Sequence, residues 1–230
     1  MQTIAERVKA LKAELAKGND CGEPVFLVAA TKMQTAEAIN EAIEAGVDAV
    51  AENKPQEFRD KHASLKPCPR HFIGHLQTNK VKYLVGKIDL YHSLDRDDLA
   101  KELAKQSLKL GIVSDILIQI NIGKEESKSG YSIEEAKEVF ARLSALEGLR
   151  VRGFMAMLPE SEDRDFLAGL VDEMRTLFDW AKTQSNTIDY LSMGMSGDYA
   201  LCIERGSNMI RVGSTIFGAR NYGGESHEEK

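Results

Sequence analysis

Asp115 to Ile122 reads DILIQINI, and this stretch decides the fold. Ile116, Leu117, Ile118, Ile120 and Ile122 leave too little polar surface for a strand with one face in water, so the segment reads as a strand buried on both faces. Such strands belong to parallel sheets covered on each side by helices. Downstream, the charged stretch GKEESKSG (123–130) leads to Ser132 and Glu135, spaced as a capping box. Val139, Phe140, Leu143 and Leu146 then mark one face of a helix. Strand, loop and helix together make one βα unit.

The same unit recurs in both directions. Upstream, IDLYHSL (88–94) precedes Leu99, Leu103 and Leu108, and HFIG (71–74) precedes Val81, Leu84 and Val85. VDAVAEN (47–53) leads into a helix with Pro55 near its start and Phe58, His62 and Leu65 inside it. VFLVAAT (25–31) leads into Ile39, Ala42 and Ile43, with Gly46 as the stop. Downstream, LRVRGFMAM (149–157) is followed by the stripe Phe166, Leu167, Leu170, Val171, Met174, Leu177, Phe178 and Ala181. IDYLSMGM (188–195) with a short helix ending at Gly206, and then MIRVGSTIFG (209–218), close the series. Before the first strand, Ile4, Val8, Leu11 and Leu15 form an extra N-terminal helix that stops at Gly18.

Eight strand runs, each trailed by a helix signal and none separated by a linker, predict an α/β fold of the closed (β/α)8 TIM-barrel type, with residues 1–230 as one domain. No G-x-G-x-x-G follows the first strand, which removes the main support for an open dinucleotide-binding sheet. Asp and Glu outnumber Lys and Arg by 36 to 30, with no basic stripe, so neither nucleic acid nor an anionic membrane surface is an expected partner. The N-terminus lacks an apolar targeting core, no apolar run is long enough to span a bilayer, and the cysteines Cys21, Cys68 and Cys202 are odd in number. A cytoplasmic protein with free thiols and a small-molecule partner is the expectation.

In a parallel barrel, chemistry sits where the strands end. Those positions hold Thr31 and Lys32, Glu52 and Asn53, Asn121, Ser192 to Ser196, and Arg211, Gly213 and Ser214. A lysine desolvated in the barrel mouth has a lowered pKa and an amine free to attack an aldehyde; alternatively Lys32 snorkels to solvent or pairs with Glu52. In RVGSTIFGAR, Gly213 permits close backbone approach, Ser214 offers a hydroxyl, and a single turn over 215–219 would aim its amides at an anion. Ser192 and Ser196 of SMGMSGD add hydroxyls from the neighbouring loop, where phosphate sites of such barrels lie. The alternative is ordinary turn chemistry, with Asp198 capping a helix. An aldehyde trap beside a phosphate cradle calls for a ligand that is both, and pyridoxal 5'-phosphate is both. Arg211, deeper in the barrel, would meet the pyridine nitrogen and, being always protonated, keep that nitrogen unprotonated and the ring a poor electron sink. His71 and His75 read as structural or loop histidines, the methionines and Trp180 as packing, and GKEESKSG as a surface loop that lacks the order of a phosphate-binding motif.

LVAATK, AENKPQE, HFIGHLQTNK, SMGMSGD and IRVGSTIFGAR together resemble the YggS/PROSC family, the pyridoxal phosphate homeostasis proteins, whose barrel is similar to the N-terminal domain of alanine racemase. The match runs nearly end to end. The resemblance implies Lys32 as the internal aldimine lysine, Asn53 near the cofactor ring, Arg211 at the pyridine nitrogen, and Ser196, Gly213 and Ser214 at the phosphate. It departs from the family pattern at Met33 and Gln34 after the lysine, at Ala51, and at Arg70 before HFIGH.

Three functions follow. The first is a non-catalytic carrier that holds pyridoxal phosphate, influences its supply and passes it to apoenzymes that need it. The alternative is a racemase or lyase of the alanine racemase-like fold. A two-base racemase needs an opposing tyrosine on an added C-terminal domain and a tyrosine soon after its lysine; here the chain ends at Lys230 after the barrel, and Ala36 stands four residues on from Lys32. An aldolase acting on a sugar phosphate is the third, and it leaves Arg211 without a role. The carrier reading is preferred, and the lack of a dimer-forming domain favours a monomer.

Overall fold

The computed structural model describes residues 2–125 and 127–218. Glu126 of the GKEESKSG loop, and Ala219 and Arg220 at the end of IRVGSTIFGAR, lie outside the described residues, as does the stretch to Lys230 assigned to the same domain. Eight parallel strands close into a barrel in chain order. They are β1 (Phe26–Ala30), β2 (Ala49–Glu52), β3 (Arg70–Phe72), β4 (Leu90–Leu94), β5 (Ser114–Ile120), β6 (Leu149–Ala156), β7 (Tyr190–Ser192) and β8 (Met209–Val212). The helices are α1 (Ile4–Leu15), α2 (Ala36–Ala45), α3 (Pro55–Lys61), α4 (Val81–Leu84), α5 (Asp97–Lys109), α6 (Ala136–Ser144), α7 (Arg164–Gln184), α8 (Tyr199–Glu204) and α9 (Ser214–Phe217). DILIQINI supplies most of β5, in which every residue but Asp115 is buried. No helix among the described residues is long and apolar enough to cross a membrane.

Local chemistry explains most boundaries. Thr3 and Glu6 form a capping box on α1, Thr35 caps α2, which Gly46 ends at φ 104°, and Asp163 caps α7. Ser132 and Glu135 do exchange the expected reciprocal hydrogen bonds, each at 3.3 Å from the main-chain N–H. They close a turn that precedes the helix, however, and α6 starts only at Ala136. The helix expected over His62 and Leu65 stops at Lys61 and tightens into a 3₁₀ turn over His62–Ser64, with the His62 ring stacked on Phe58. Leu108 and Phe166, near the end of α5 and the start of α7, continue the apolar periodicity of those helices but are about half exposed.

Alternation along the strands separates two compartments. Val28, Ala49, Ala51, Leu90, Leu117, Met155 and Met209 pack inside the barrel. Leu27, Ala29, Val50, Ile210 and Val212 face outward against α1 and α2. The same parity turns Lys32, Asn53, Ser192 and Arg211 inward and Thr31 and Glu52 outward. At the mouth, the main chain after β3 runs against that after β2: a Cβ on Gly74 would lie 2.0 Å from the Asn53 carbonyl oxygen. Only a residue without a side chain permits that approach. Gly74→Ala is expected to destabilise the protein by about 2–3 kcal/mol, read from urea denaturation, and an unchanged midpoint would show that this contact does not hold Asn53 in place.

Candidate functional site

A cavity of about 360 Å³ opens at the strand C-termini. Lys32, Asn53, Ser196, Arg211, Gly213 and Ser214 all line it, and Ile73, Met155, Met157 and Met195 supply apolar wall. Met155, Met157 and Met195, read from the sequence as packing, therefore line the site, while Met174, Met193 and Met209 are buried in the core and Trp180 packs edge-on to Phe140.

Lys32 is the second residue beyond β1 and is exposed at the mouth, not desolvated as the sequence reading expects. Nor does it pair with Glu52. Parity places the two on opposite faces of the sheet, and Glu52 is engaged by Lys61 of α3 at 3.0 Å and by the Thr31 hydroxyl at 2.7 Å, both on Oε1. Oε2 of Glu52 is buried with no partner among the described residues, and burial holds this carboxyl above its usual range despite Thr31 and Lys61. Lys61 also donates to the Thr31 carbonyl at 3.3 Å and to Glu57 at 3.0 Å, and Glu57 accepts the Met33 N–H at 2.8 Å. Burial works against Glu57's charge, yet the Met33 N–H and Lys61 keep its carboxyl below the ordinary range. Met33 sits at φ 62°, a left-handed conformation costly for a side chain. Thr31 and Met33, the residues on either side of the lysine, are thus both tied to one Glu52–Lys61–Glu57 network.

After the neighbouring strand, β8, α9 begins at Ser214, one residue before the expected turn. The Ser196 hydroxyl lies 3.5 Å from the Thr215 N–H, which it accepts, so hydroxyls from the β7–α8 loop and from α9 share one corner. Gly213 is bare there, and a Cβ on it would stand 3.3 Å from the Ala30 carbonyl oxygen. Asp198 precedes α8 but makes no side-chain cap; it accepts the Met195 N–H instead. Ser192 is not part of this corner. β7 continues through it, and its side chain is fully buried inside the barrel. Asn121 is also elsewhere, holding the following loop through the Glu125 and Lys128 carbonyls.

Arg211 forms the cavity floor. Nη1 donates to the Ser192 carbonyl at 2.7 Å and to the Ser192 hydroxyl at 2.6 Å, and Nη2 to the Ala156 carbonyl at 3.1 Å. Burial pushes its pKa down to about 10, which leaves it charged at neutral pH. Below it lie His92, 3.1 Å from the Ser192 hydroxyl through Nδ1, and His71, whose Nδ1 is 3.0 Å from His92 Nε2. Burial pushes His71 down to about 4; His92 is held well below its ordinary value by burial, His71 and Arg211. His75 points away, bonded to Asp95 at 3.0 Å. The sequence reading passed over His92 inside IDLYHSL, although its parity with Leu90 marks it as an inward position.

The profile of the alanine racemase N-terminal domain family matches residues 1–221. The pyridoxal phosphate homeostasis protein of Aquifex aeolicus is 38% identical over 225 residues, covering 96% of this chain and 97% of that protein. That of Escherichia coli is 39% identical over 233 residues, covering 96% and 99%. The structure of PipY from Synechococcus elongatus with PLP bound superposes with a TM-score of 0.82 at 32% identity, over 94% of this chain and 100% of that one. The alanine racemase of Streptomyces lavendulae shares the fold, at a TM-score of 0.73, 14% identity and coverage of 94% and 57%.

The buried histidines make stability depend on pH. Folded His71 takes up a proton only near pH 4, the unfolded chain near 6.5, so stability is complete above 6.5 and falls as the pH drops toward 4. His71 alone is expected to remove about 2 kcal/mol between pH 6.5 and 5. Urea denaturation across that window measures it, and the dependence shrinks in His71→Gln.

Proposed function

This chain belongs to the alanine racemase N-terminal domain family and, within it, to the pyridoxal phosphate homeostasis proteins, and we propose that it holds pyridoxal 5'-phosphate through Lys32 as a reserve and passes it on. The observation that carries the reading is the convergence of an amine, a buried guanidinium and paired hydroxyls on one cavity of about 360 Å³. That size suits a small cofactor. The donor set suits this one: Lys32 for the aldehyde, Ser196, Ser214 and the bare Gly213 backbone for the phosphate, Arg211 for the ring nitrogen, and Asn53 beside the ring. When bound, the cofactor supplies an aldehyde for covalent capture and a ring that can accept electrons.

The chain's own residues favour holding over turnover. Arg211 donates and cannot accept a proton, so the ring nitrogen it meets stays unprotonated and draws electrons weakly. Lys32 at the exposed mouth is reachable by an incoming amine, which suits transfer to apoenzymes. The proposal includes action as a monomer in the cytoplasm.

Purified protein mixed with pyridoxal phosphate is expected to gain an absorbance band at the visible edge, and borohydride reduction with peptide mapping to place the adduct on Lys32. Lys32→Ala should abolish the band while leaving the fold intact. Retention of the band in that variant, or an adduct elsewhere, overturns the assignment. Ser214→Ala is expected to weaken binding about tenfold, the loss of one hydrogen bond to a charged group. Racemisation and decarboxylation assays on the same preparation test the holding role.

A further inference from the structure

The interior of such a barrel is ordinarily filled by branched apolar side chains. Here four polar side chains share the interior under the cavity with Val28, Ala51 and Met155: His71 from β3, His92 from β4, Ser192 from β7 and Arg211 from β8. His92 and Ser192 are fully buried, His71 and Arg211 nearly so. A polar chain in that position costs desolvation unless every donor meets an acceptor, and that requirement fixes the direction of each bond.

A guanidinium has donors only, so Ser192 Oγ accepts from Arg211 Nη1 at 2.6 Å. The hydroxyl proton then has one side-chain acceptor within reach among the described residues, His92 Nδ1 at 3.1 Å. With Nδ1 accepting, neutral His92 carries its proton on Nε2 and donates it to His71 Nδ1 at 3.0 Å. His71 in turn carries its own proton on Nε2. Burial, which keeps both rings neutral, agrees with this pattern. A serine hydroxyl alone rotates freely; one whose proton is committed to a histidine presents its lone pairs elsewhere. His92 thereby turns the Ser192 oxygen toward Nη1, and each bond in the row polarises the next.

We propose that Ser192, His92 and His71 form a one-way hydrogen-bond relay that orients Arg211 toward the cavity, making Ser192 and His92 positioning residues for the contact with the ring nitrogen. The inference deepens the proposed function and rests on it for the identity of the ring, though the relay itself does not.

Two measurements test it on the full chain. ¹⁵N NMR of histidine-labelled protein at neutral pH reads the tautomers: the relay requires neutral His71 and His92 with bare Nδ1 and protonated Nε2. A proton on His92 Nδ1 reverses the first bond and overturns the proposal. Absorbance titrations with pyridoxal phosphate then compare wild type with Ser192→Ala, His92→Leu and His92→Asn. The first two are expected to move the absorbance maximum and weaken binding about tenfold, while His92→Asn, whose amide oxygen still accepts the serine proton, keeps the wild-type band. Ser192→Ala or His92→Leu protein that is folded by circular dichroism and retains the wild-type band and affinity overturns the positioning role. If these variants do not fold, the tautomers in wild type decide. A wild type that never develops the band sinks the cofactor assignment, and the tautomers still read the relay.

Discussion

The pairing that closes the barrel makes everything else at the mouth possible. β1 and β8 lie parallel with Val28 opposite Arg211 and Ala29 opposite Val212. That register sets Ala30 beside Gly213, which is why a Cβ on the glycine would press on the Ala30 carbonyl. Two residues beyond the end of β1 comes Lys32, and one residue beyond the glycine comes Ser214. Residues far apart in sequence thus meet across one ladder. A slip of β8 by one residue against β1 would turn Arg211 out of the barrel and bring Val212 in, parting the guanidinium from Lys32.

Around that ladder the molecule spends polar groups where barrels usually place aliphatic ones. Arg211 has no carboxylate partner among the described residues and is held by two main-chain carbonyls and one hydroxyl. A carboxylate there would neutralise the guanidinium locally; carbonyls and a hydroxyl satisfy its donors and leave its charge in place. On the outer face of the sheet the arrangement is reversed. Glu52 and Glu57 share Lys61, and the trio fixes the main chain on both sides of Lys32 without touching its amine. One lysine does the bracing and the other stays free at the mouth.

The sequence makes the barrel legible because each strand run is short, apolar and followed by helical spacing; Lys32 and Arg211 stand near strand ends with inward parity, and Gly213 and Ser214 follow the last strand directly. Asn53 stands out as a strand-end residue, and only the family resemblance puts it near the cofactor ring. The errors have physical sources. Ser192 looked like loop because SMGMSGD is rich in small residues, yet β7 runs through it and the side chain belongs to the interior. His92 was hidden in an apolar run because a histidine inside a strand carries no spacing signature of its own, and its partners come from β3 and β7. The alternative pairing of Lys32 with Glu52 fails because the lysine that reaches Glu52 is Lys61 of α3, on the outer face that Glu52 occupies.

Exposure of Lys32 bears on the difference between a reservoir and a catalyst. A catalytic lysine gains from a dry site, since desolvation lowers its pKa and strengthens the fields acting on the reacting atoms. A reservoir must also let go, and an amine from outside has to reach the same carbon that the lysine holds. The structure separates the two demands by depth. Arg211 forms the cavity floor with the histidine row buried beneath it, and the lysine stands at the rim on a turn whose geometry is set from the other side of the sheet. In the proposed holding role, grip on the ring by Arg211 and access to the carbon held by Lys32 would fall to different parts of the barrel, so either could change without undoing the other.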